Sequence, residues 1–363
     1  MKAPFVWFGG KRRVAPEVWA ALGDVPNYIE PFAGSLAVLL GRPHDMSNGT
    51  RRAETVNDAD GFLANFWRAL AHDPEAVAHW CDWPVNEVDL FARHLWLVNT
   101  GRSRLLEGME ADPDFYDAQV AGWWVWGVNA WIGSGWCSGD GPWVDTGDGI
   151  GKRPHLGNAG RGVERRLPHL GNAGRGVNRK RPHLGDAGQG VNRKRPHLGD
   201  AGRAGYNNME YRPNVLGYFE ELAGRLRDVR VCCGDWSRVC TSGAMSYGSK
   251  VGVFLDPPYL GDVRTADLYA VDDHTISHAV RDWCLEHGDD PRLRIVLAGY
   301  RAEHDDLMPD TWRRHYYSAS AAYSTTESAA RQDGNHANRA NEVLWFSPHC
   351  VTPDRQGELW EAL

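Results

Sequence analysis

No apolar run in the 363 residues approaches the length of a membrane span, and Met1-Lys-Ala-Pro-Phe5 lacks the long apolar stretch of a signal peptide. A soluble, cytoplasmic protein is therefore expected. Cysteine is sparse: seven residues, an odd number, scattered apart from adjacent Cys232 and Cys233, with no C-x-x-C pair. That excludes a disulfide framework and a cysteine zinc site, and it fits a reducing compartment. Net positive charge is also lacking. The formal charge is −7, the wrong sign for a protein that simply coats nucleic acid.

The deficit is uneven. Between Lys152 and Arg203 there are 13 Lys and Arg against 3 Asp and Glu, a local +10, which leaves −17 on the remainder. An acidic body with one strongly basic segment implies that this segment meets a polyanion. The segment is an internal repeat with a period of 14 residues: RPHLGNAGRGVERR from Arg153, LPHLGNAGRGVNRK from Leu167, RPHLGDAGQGVNRK from Arg181 and RPHLGDAGRAGYNN from Arg195. Each copy carries one Pro and three Gly, which excludes a long helix, and too few apolar residues to fold alone. Arg165, Arg166, Arg179, Lys180, Arg181, Arg193, Lys194 and Arg195 are candidates for neutralising phosphates. The alternative is a solvated low-complexity insert. His155, His169, His183 and His197 recur at the same interval, but no Cys or paired His accompanies them, so no metal site is expected.

On either side the chain reads as globular. Asn214 to Arg227 has apolar residues at helical spacing, and a second helix is expected near Thr275–His287. Strands are expected at Val229–Cys233, Val251–Leu255 and Arg294–Ala298. Strands alternating with helices predict an α/β fold with a doubly wound, mostly parallel sheet, interrupted by an inserted region. We divide the chain into a first catalytic part at 1–75, a recognition region at 76–213 that includes the repeats, and a second catalytic part at 214–363.

Acids stand at four expected strand ends: Glu30 in Glu30-Pro-Phe-Ala-Gly34, Asp58 in Asn57-Asp58-Ala-Asp60, Asp235 in Gly234-Asp235-Trp236, and Asp256 in Asp256-Pro-Pro-Tyr259. One such acid is commonly a cap; four at carboxyl ends mark the edge where open α/β sheets bind ligands. Pro257 and Pro258 cannot donate to a sheet, so they end the strand before them and stiffen the turn that carries Tyr259.

With Trp7-Phe-Gly-Gly10-Lys11 ahead of them, these motifs resemble, in kind and order, the DNA adenine-N6 methyltransferases of the Dam-like family. Ala340–Pro348 is similar to that family's closing strand. The resemblance implies a Rossmann-like fold, S-adenosyl-L-methionine as cofactor, double-stranded DNA as partner, and methylation of a flipped-out adenine in a bacterial or phage-infected cell. It implies that Trp7, Gly10 and Lys11 help bind the cofactor. Glu30, Phe32 and Gly34 would surround its methionine part, Asp58 its ribose and Asp235 its adenine. Asp256, Pro257, Pro258 and Tyr259 would grip the target base, with Asp256 also at the cofactor edge. A cognate restriction endonuclease is a partner such enzymes have, though no motif here implies one. Cytosine-N4 methylation and a catalytically inactive DNA-binding relative stay open as alternatives.

Two departures stand out. The family has a second Gly two residues after Gly34, where this chain has Leu36, whose side chain would crowd the methionine moiety. Six Trp fall between Trp123 and Trp143; Trp123, Trp124 and Trp126 are expected on a buried helix. The Gly-rich stretch that follows, from Asn129 to Gly135, resembles the family's DNA-facing loop loosely, with Asn129 matching its first Asn.

Overall fold

A computed structural model describes residues 1–5, 7, 10–43, 52–112, 114–131, 136–137, 143–145, 150–152, 215–258, 276–317 and 342–352, with backbone alone at 143–145 and 150–152. The 14-residue repeats and Tyr259 lie outside the described residues. So do the eight basic candidates from Arg165 to Arg195.

The body is a seven-stranded sheet. Its strands are β1 (Asn27–Glu30), β2 (Ala53–Asp58), β5 (Val229–Cys233), β6 (Val251–Leu255), β7 (Leu293–Tyr300), β8 (Arg313–Tyr317) and β9 (Glu342–Phe346). A separate antiparallel pair is made by β3 (Trp143–Asp145) and β4 (Ile150–Lys152). The order across the sheet is β5-β2-β1-β6-β7-β9-β8. All neighbours run parallel up to β7, and β9 lies antiparallel between β7 and β8.

Strand β6, at the middle of the sheet, is apolar throughout because both faces are covered. Alternate residues split between two cores: Phe254, Val296 and Leu344 enter one, while Val253, Leu255, Ile295, Leu297 and Trp345 enter the other. The first core is closed by α1 (Ala15–Leu22), α3 (Gly61–His72) and α8 (Val215–Leu226), and the second by α9 (Ile276–His287). Two short helices, α2 (Ala37–Leu40) and α10 (Arg301–His304), follow β1 and β7. Helices on both faces make the sheet doubly wound, as expected. The helices read from periodicity at 214–227 and 275–287 and the three strands read beside them are all present.

Three further helices extend the first face: α4 (Pro74–Cys81), α5 (Glu87–Trp96) and α7 (Ala118–Ala130). Helices α4 and α7 pack on α3 and α8, so the stretch that starts at residue 76 begins as part of the body's own core, and the boundary drawn between 75 and 76 falls inside α4. Trp124 and Trp126 are buried on α7, as their spacing predicted, and Trp123 is half-buried. The Arg93 guanidinium of α5 lies 4.4 Å from the Trp126 ring and 5.1 Å from those of Trp83 and Trp123, a cation–π cage that pins α5 to α7.

Candidate functional site

The order of the sheet reverses direction between β1 and β6: the chain proceeds from β1 outward through β2 to β5, then returns to β6 and continues to β7. At that switch point the connections leave to opposite sides, and a crevice opens at the carboxyl ends of the strands. Glu30 ends β1 there and Asp256 follows β6.

Lys11 completes this corner. It opens a 3-10 turn, Lys11–Arg13, and is 5% exposed, which is rare for a lysine without a paired charge. Its Nζ is 2.9 Å from Oδ1 of Asp256, whose side chain is 21% exposed. The G-G-K and D-P-P-Y motifs, far apart in sequence, thus meet in one ion pair. Pro257 is buried and Pro258 half-buried directly after it.

Glu30 is 2% exposed, and its Oε2 accepts hydrogen bonds from the Tyr28 hydroxyl (3.0 Å) and the Leu39 amide (3.3 Å). Burial, with smaller contributions from the Asp256 and Glu54 charges, raises its carboxyl to about 8 against the opposing effect of those two bonds. Between the unfolded value of 4.5 and about 8 the unfolded chain has lost a proton that the folded chain keeps. Stability therefore falls as pH rises through that window. Glu30→Gln, which cannot ionise, is expected to stabilise the fold at pH 7 by roughly 1–3 kcal/mol and to flatten its decline from pH 5 to 8. Thermal melting across that range measures both.

The second part of the site hangs on β2. Asp58 accepts from the Gly34 amide through Oδ2 and from the Asp60 amide through Oδ1, each at 2.9 Å. Burial pushes its carboxyl up to about 6 despite these bonds. Gly34 has φ of +47°, and a Cβ there would lie 2.9 Å from Cδ1 of Trp7, so only glycine fits without moving the Trp7 ring. The Gly34 carbonyl accepts from Nε1 of Trp67 (3.0 Å). Beside it, the Asn57 amide donates to the carbonyls of Pro31 (3.0 Å) and Gly234 (2.9 Å), tying together the turns after β1 and β5.

Leu36, at the position where a side chain would crowd the methionine moiety, has its side chain fully buried in the first core. The price is backbone geometry: φ 54°, ψ 29°, the left-handed region that glycine would occupy freely. Leu36→Gly relieves about 1–2 kcal/mol of strain but removes a buried leucine side chain, typically costing about 2–5 kcal/mol. A net destabilisation is expected, read from the midpoint of denaturant unfolding.

The third part follows β5. Asp235 is exposed and caps a 3-10 turn, Trp236–Val239, accepting from the Ser237 amide at 2.9 Å. The Trp236 ring lies 6.2 Å from that of Phe32, inclined by 26°. The crevice is therefore rimmed by Asp256, Asp58 and Asp235, with Phe32 and Trp236 between them. Sequence reasoning named the acids but missed Trp67, Trp236 and the tying role of Asn57; Trp236, directly after Asp235, and Asn57, directly before Asp58, stood beside motif acids. Trp7 is half-buried over Gly34, and Gly10 is exposed, its amide donating to the Trp7 carbonyl at 3.3 Å.

Asn129 does not join this set. It lies in the last turn of α7 rather than in a loop, and its amide donates to the carbonyls of Val125 (2.8 Å) and Pro4 (3.3 Å). Extended periodicity past the tryptophans carried the helix through the position where the loop was expected.

No group of three or more His, Cys, Asp or Glu among the described residues is placed to hold a metal ion, and none of the helices described is long and apolar enough to cross a membrane. The strand order, the helices on both faces and the acids at the switch point define a Rossmann-like methyltransferase fold. Residues 7–85 match the model of the D12 class N6 adenine-specific DNA methyltransferases, so this part of the chain is similar to the kind of family that the motifs resemble. The match holds Lys11, Glu30, Gly34 and Asp58, and it ends before the D-P-P-Y turn. No curated protein gives a significant match to the chain.

Proposed function

We propose that the protein transfers a methyl group from S-adenosyl-L-methionine to the N6 amino group of an adenine flipped out of double-stranded DNA. The observation that carries this reading is the Lys11–Asp256 ion pair at the switch point, which joins two of the motifs on which the family resemblance rests.

The crevice suits this cofactor by the chemistry of its groups. Asp58 keeps further lone pairs on both oxygens for ribose hydroxyls, Asp235 is exposed beside two aromatic rings, and the acids favour a cationic ligand. When bound, the cofactor supplies an electrophilic methyl group on a sulfonium. The remaining work falls to the chain. An adenine amino group is a poor nucleophile because its lone pair is delocalised into the ring. Lys11 holds one oxygen of Asp256, and the other oxygen and the Pro257 carbonyl would accept the two amino hydrogens. That arrangement favours the tetrahedral nitrogen and stabilises the positive charge that develops on it. The two prolines fix both acceptors in place before the reaction. Tyr259 would stack on the base. A base inside the duplex cannot reach this turn, so it must be extruded.

Incubating the protein with duplex DNA and S-adenosylmethionine, followed by digestion to nucleosides and mass spectrometry, tests the reading. N6-methyladenine is the expected product. N4-methylcytosine would overturn the choice of base, and no modified nucleoside would overturn the reaction.

The basic repeats would bind the DNA backbone through its phosphates. Deleting the copy at 181–194, which holds Arg181, Arg193 and Lys194, is expected to flatten the dependence of log K on log salt by roughly 0.9 for each phosphate left without its basic partner. An unchanged slope in a salt titration would remove that role.

A further inference from the structure

The backbone ladder of the sheet stops where the crevice begins. Strand β1 pairs with β2 as far as Glu30 opposite Val56, and Pro31 after it has no N–H to donate. On the other side, β5 pairs with β2 as far as Cys233 opposite Asp58. Past these points Asn57 and Asp58 form a bracket of their own. The Asn57 carbonyl accepts from the Ala33 amide (2.8 Å), and the Asp58 carbonyl accepts from the Gly234 amide (3.0 Å). Between them, Nδ2 of Asn57 donates one hydrogen to the Pro31 carbonyl and the other to that of Gly234.

Asn57 is 1% exposed, and its Oδ1 has no hydrogen-bond partner among the described residues. An unpaired buried amide oxygen is unfavourable, and the fold tolerates it to keep both N–H groups on the two carbonyls. Turning the amide over would point that oxygen at both of them, so the orientation is set. An aspartate of the same shape would offer no donor at all when ionised. The turn after β5 is fastened again from outside. Gly234 has φ of +132°, and Nη1 of Arg238, which donates to the Cys233 carbonyl (2.7 Å), lies 2.6 Å from where a Gly234 Cβ would stand. Strand β2 itself runs into α3, which is capped by Asp60 and packs on α6 (Arg102–Ala111), α7 and α8. The two walls of the crevice are thus held at one separation, with Phe32 on one and Trp236 on the other.

We propose that Asn57 is a positioning residue: it sets the separation of the turns after β1 and β5, so that a ligand with a ring at one end and a charged tail at the other meets both walls already in place. The proposal rests on the methyltransferase reading above, in which that ligand is S-adenosylmethionine. Walls ordered during folding need not be ordered at binding, so the two ends of one ligand reinforce each other. Removing the Asn57 amide leaves the three other bonds of the bracket, to Ala33, Gly34 and Gly234, and so leaves each wall standing. What it removes is their registration. The tail should lose its advantage while the ring keeps its own hold.

The test is calorimetric titration of the full chain with S-adenosylhomocysteine and, separately, with adenosine, which lacks the amino-acid tail. The quantity read is the ratio of the two Kd values, the advantage that the tail confers. In the parent this advantage is expected to be about 100-fold. In Asn57→Ala, where water can bridge the two carbonyls without fixing their distance, it is expected to fall to about 10-fold or less, with the adenosine Kd within about 3-fold of the parent's. The same advantage in parent and variant, including equal weakening of both ligands, would leave Asn57 a structural role only and overturn the proposal. A parent in which the tail adds nothing, or in which adenosine does not bind at millimolar concentration, would overturn it too, because one end would then have no hold of its own. These results leave the methyltransferase reading intact. A parent that binds no S-adenosylhomocysteine at all would overturn both. Should Asn57→Ala not fold, Asn57→Ser decides: its single hydroxyl donor can hold one carbonyl at most, so a reduced advantage supports the positioning role and the parent's advantage refutes it.

Discussion

Asp256→Asn is expected to reduce methyl transfer by about 10²- to 10³-fold while leaving DNA binding nearly intact, since removing one preorganised electrostatic partner of the reacting group typically has that effect. The asparagine keeps the shape of the side chain and one carbonyl acceptor. It loses the negative charge that faces the positive nitrogen, and it loses the ion pair with Lys11 at 2.9 Å. Its amide, turned toward the base, would present a donor where an acceptor is needed. Lys11→Met separates the two roles of this corner. The carboxylate remains, but nothing holds its Oδ1 in the same way, so kcat is expected to fall by about 10-fold or more through lost orientation. Single-turnover rates with saturating cofactor, beside DNA affinity by fluorescence anisotropy, measure both variants. An Asp256→Asn enzyme within 5-fold of the parent would show that the carboxylate takes no part in the chemistry.

Glu54→Gln is expected to destabilise the fold by roughly 3–5 kcal/mol, the usual cost of breaking a buried charge cluster from one side. Glu54, on β2, is the carboxylate shared by two guanidiniums. Arg42 reaches it at 2.8 Å, and Arg225 of α8 binds it through both oxygens at 2.6 and 2.9 Å. The side chains of Arg42 and Arg225 are 2% and 9% exposed, so neither charge can return to water without unpacking α8. Burial tends to raise the Glu54 carboxyl, and the two guanidiniums outweigh it, leaving it below its ordinary 4.5. Its stabilising effect is therefore present above pH 4.5 and is lost as pH falls through the lowered folded value. The loss from Glu54→Gln should accordingly shrink in acid, opposite in sign to the pH effect of Glu30→Gln. Arg225→Met in the same chain should recover part of it, because an apolar partner leaves one fewer unpaired charge. Chemical denaturation of the single and double variants at pH 7 and pH 4 resolves these terms.

Much of the fold was legible because it depends on local pattern. Val251–Leu255 is five apolar residues closed by two prolines, and a fully buried strand is the arrangement that satisfies it. The helix at Val215–Leu226 shows its apolar stripe at the expected period. The acids at strand ends were legible for the same reason: each stands at or just past the end of a β-prone run, and Glu30 and Asp256 directly precede a proline. Asn129 falls in a helix and not at the start of the Gly-rich loop because burial of α7 between α3 and α4 extends that helix to Ala130.

The sequence by itself determined which residue types stand at the carboxyl edge, their order along the chain, and the alternation of strands and helices that places them on one edge. These follow from hydrophobic period and from proline and glycine chemistry, which act over a few residues. The tertiary structure alone decided which of them meet. Parallel strands bring together residues from distant parts of the chain, so the Lys11–Asp256 pair, the Asn57 tie between two turns, and the burial that keeps Glu30 protonated near pH 7 appear only when β1, β2, β5 and β6 lie side by side. A charge's environment is set by neighbours through space, and no local period encodes it.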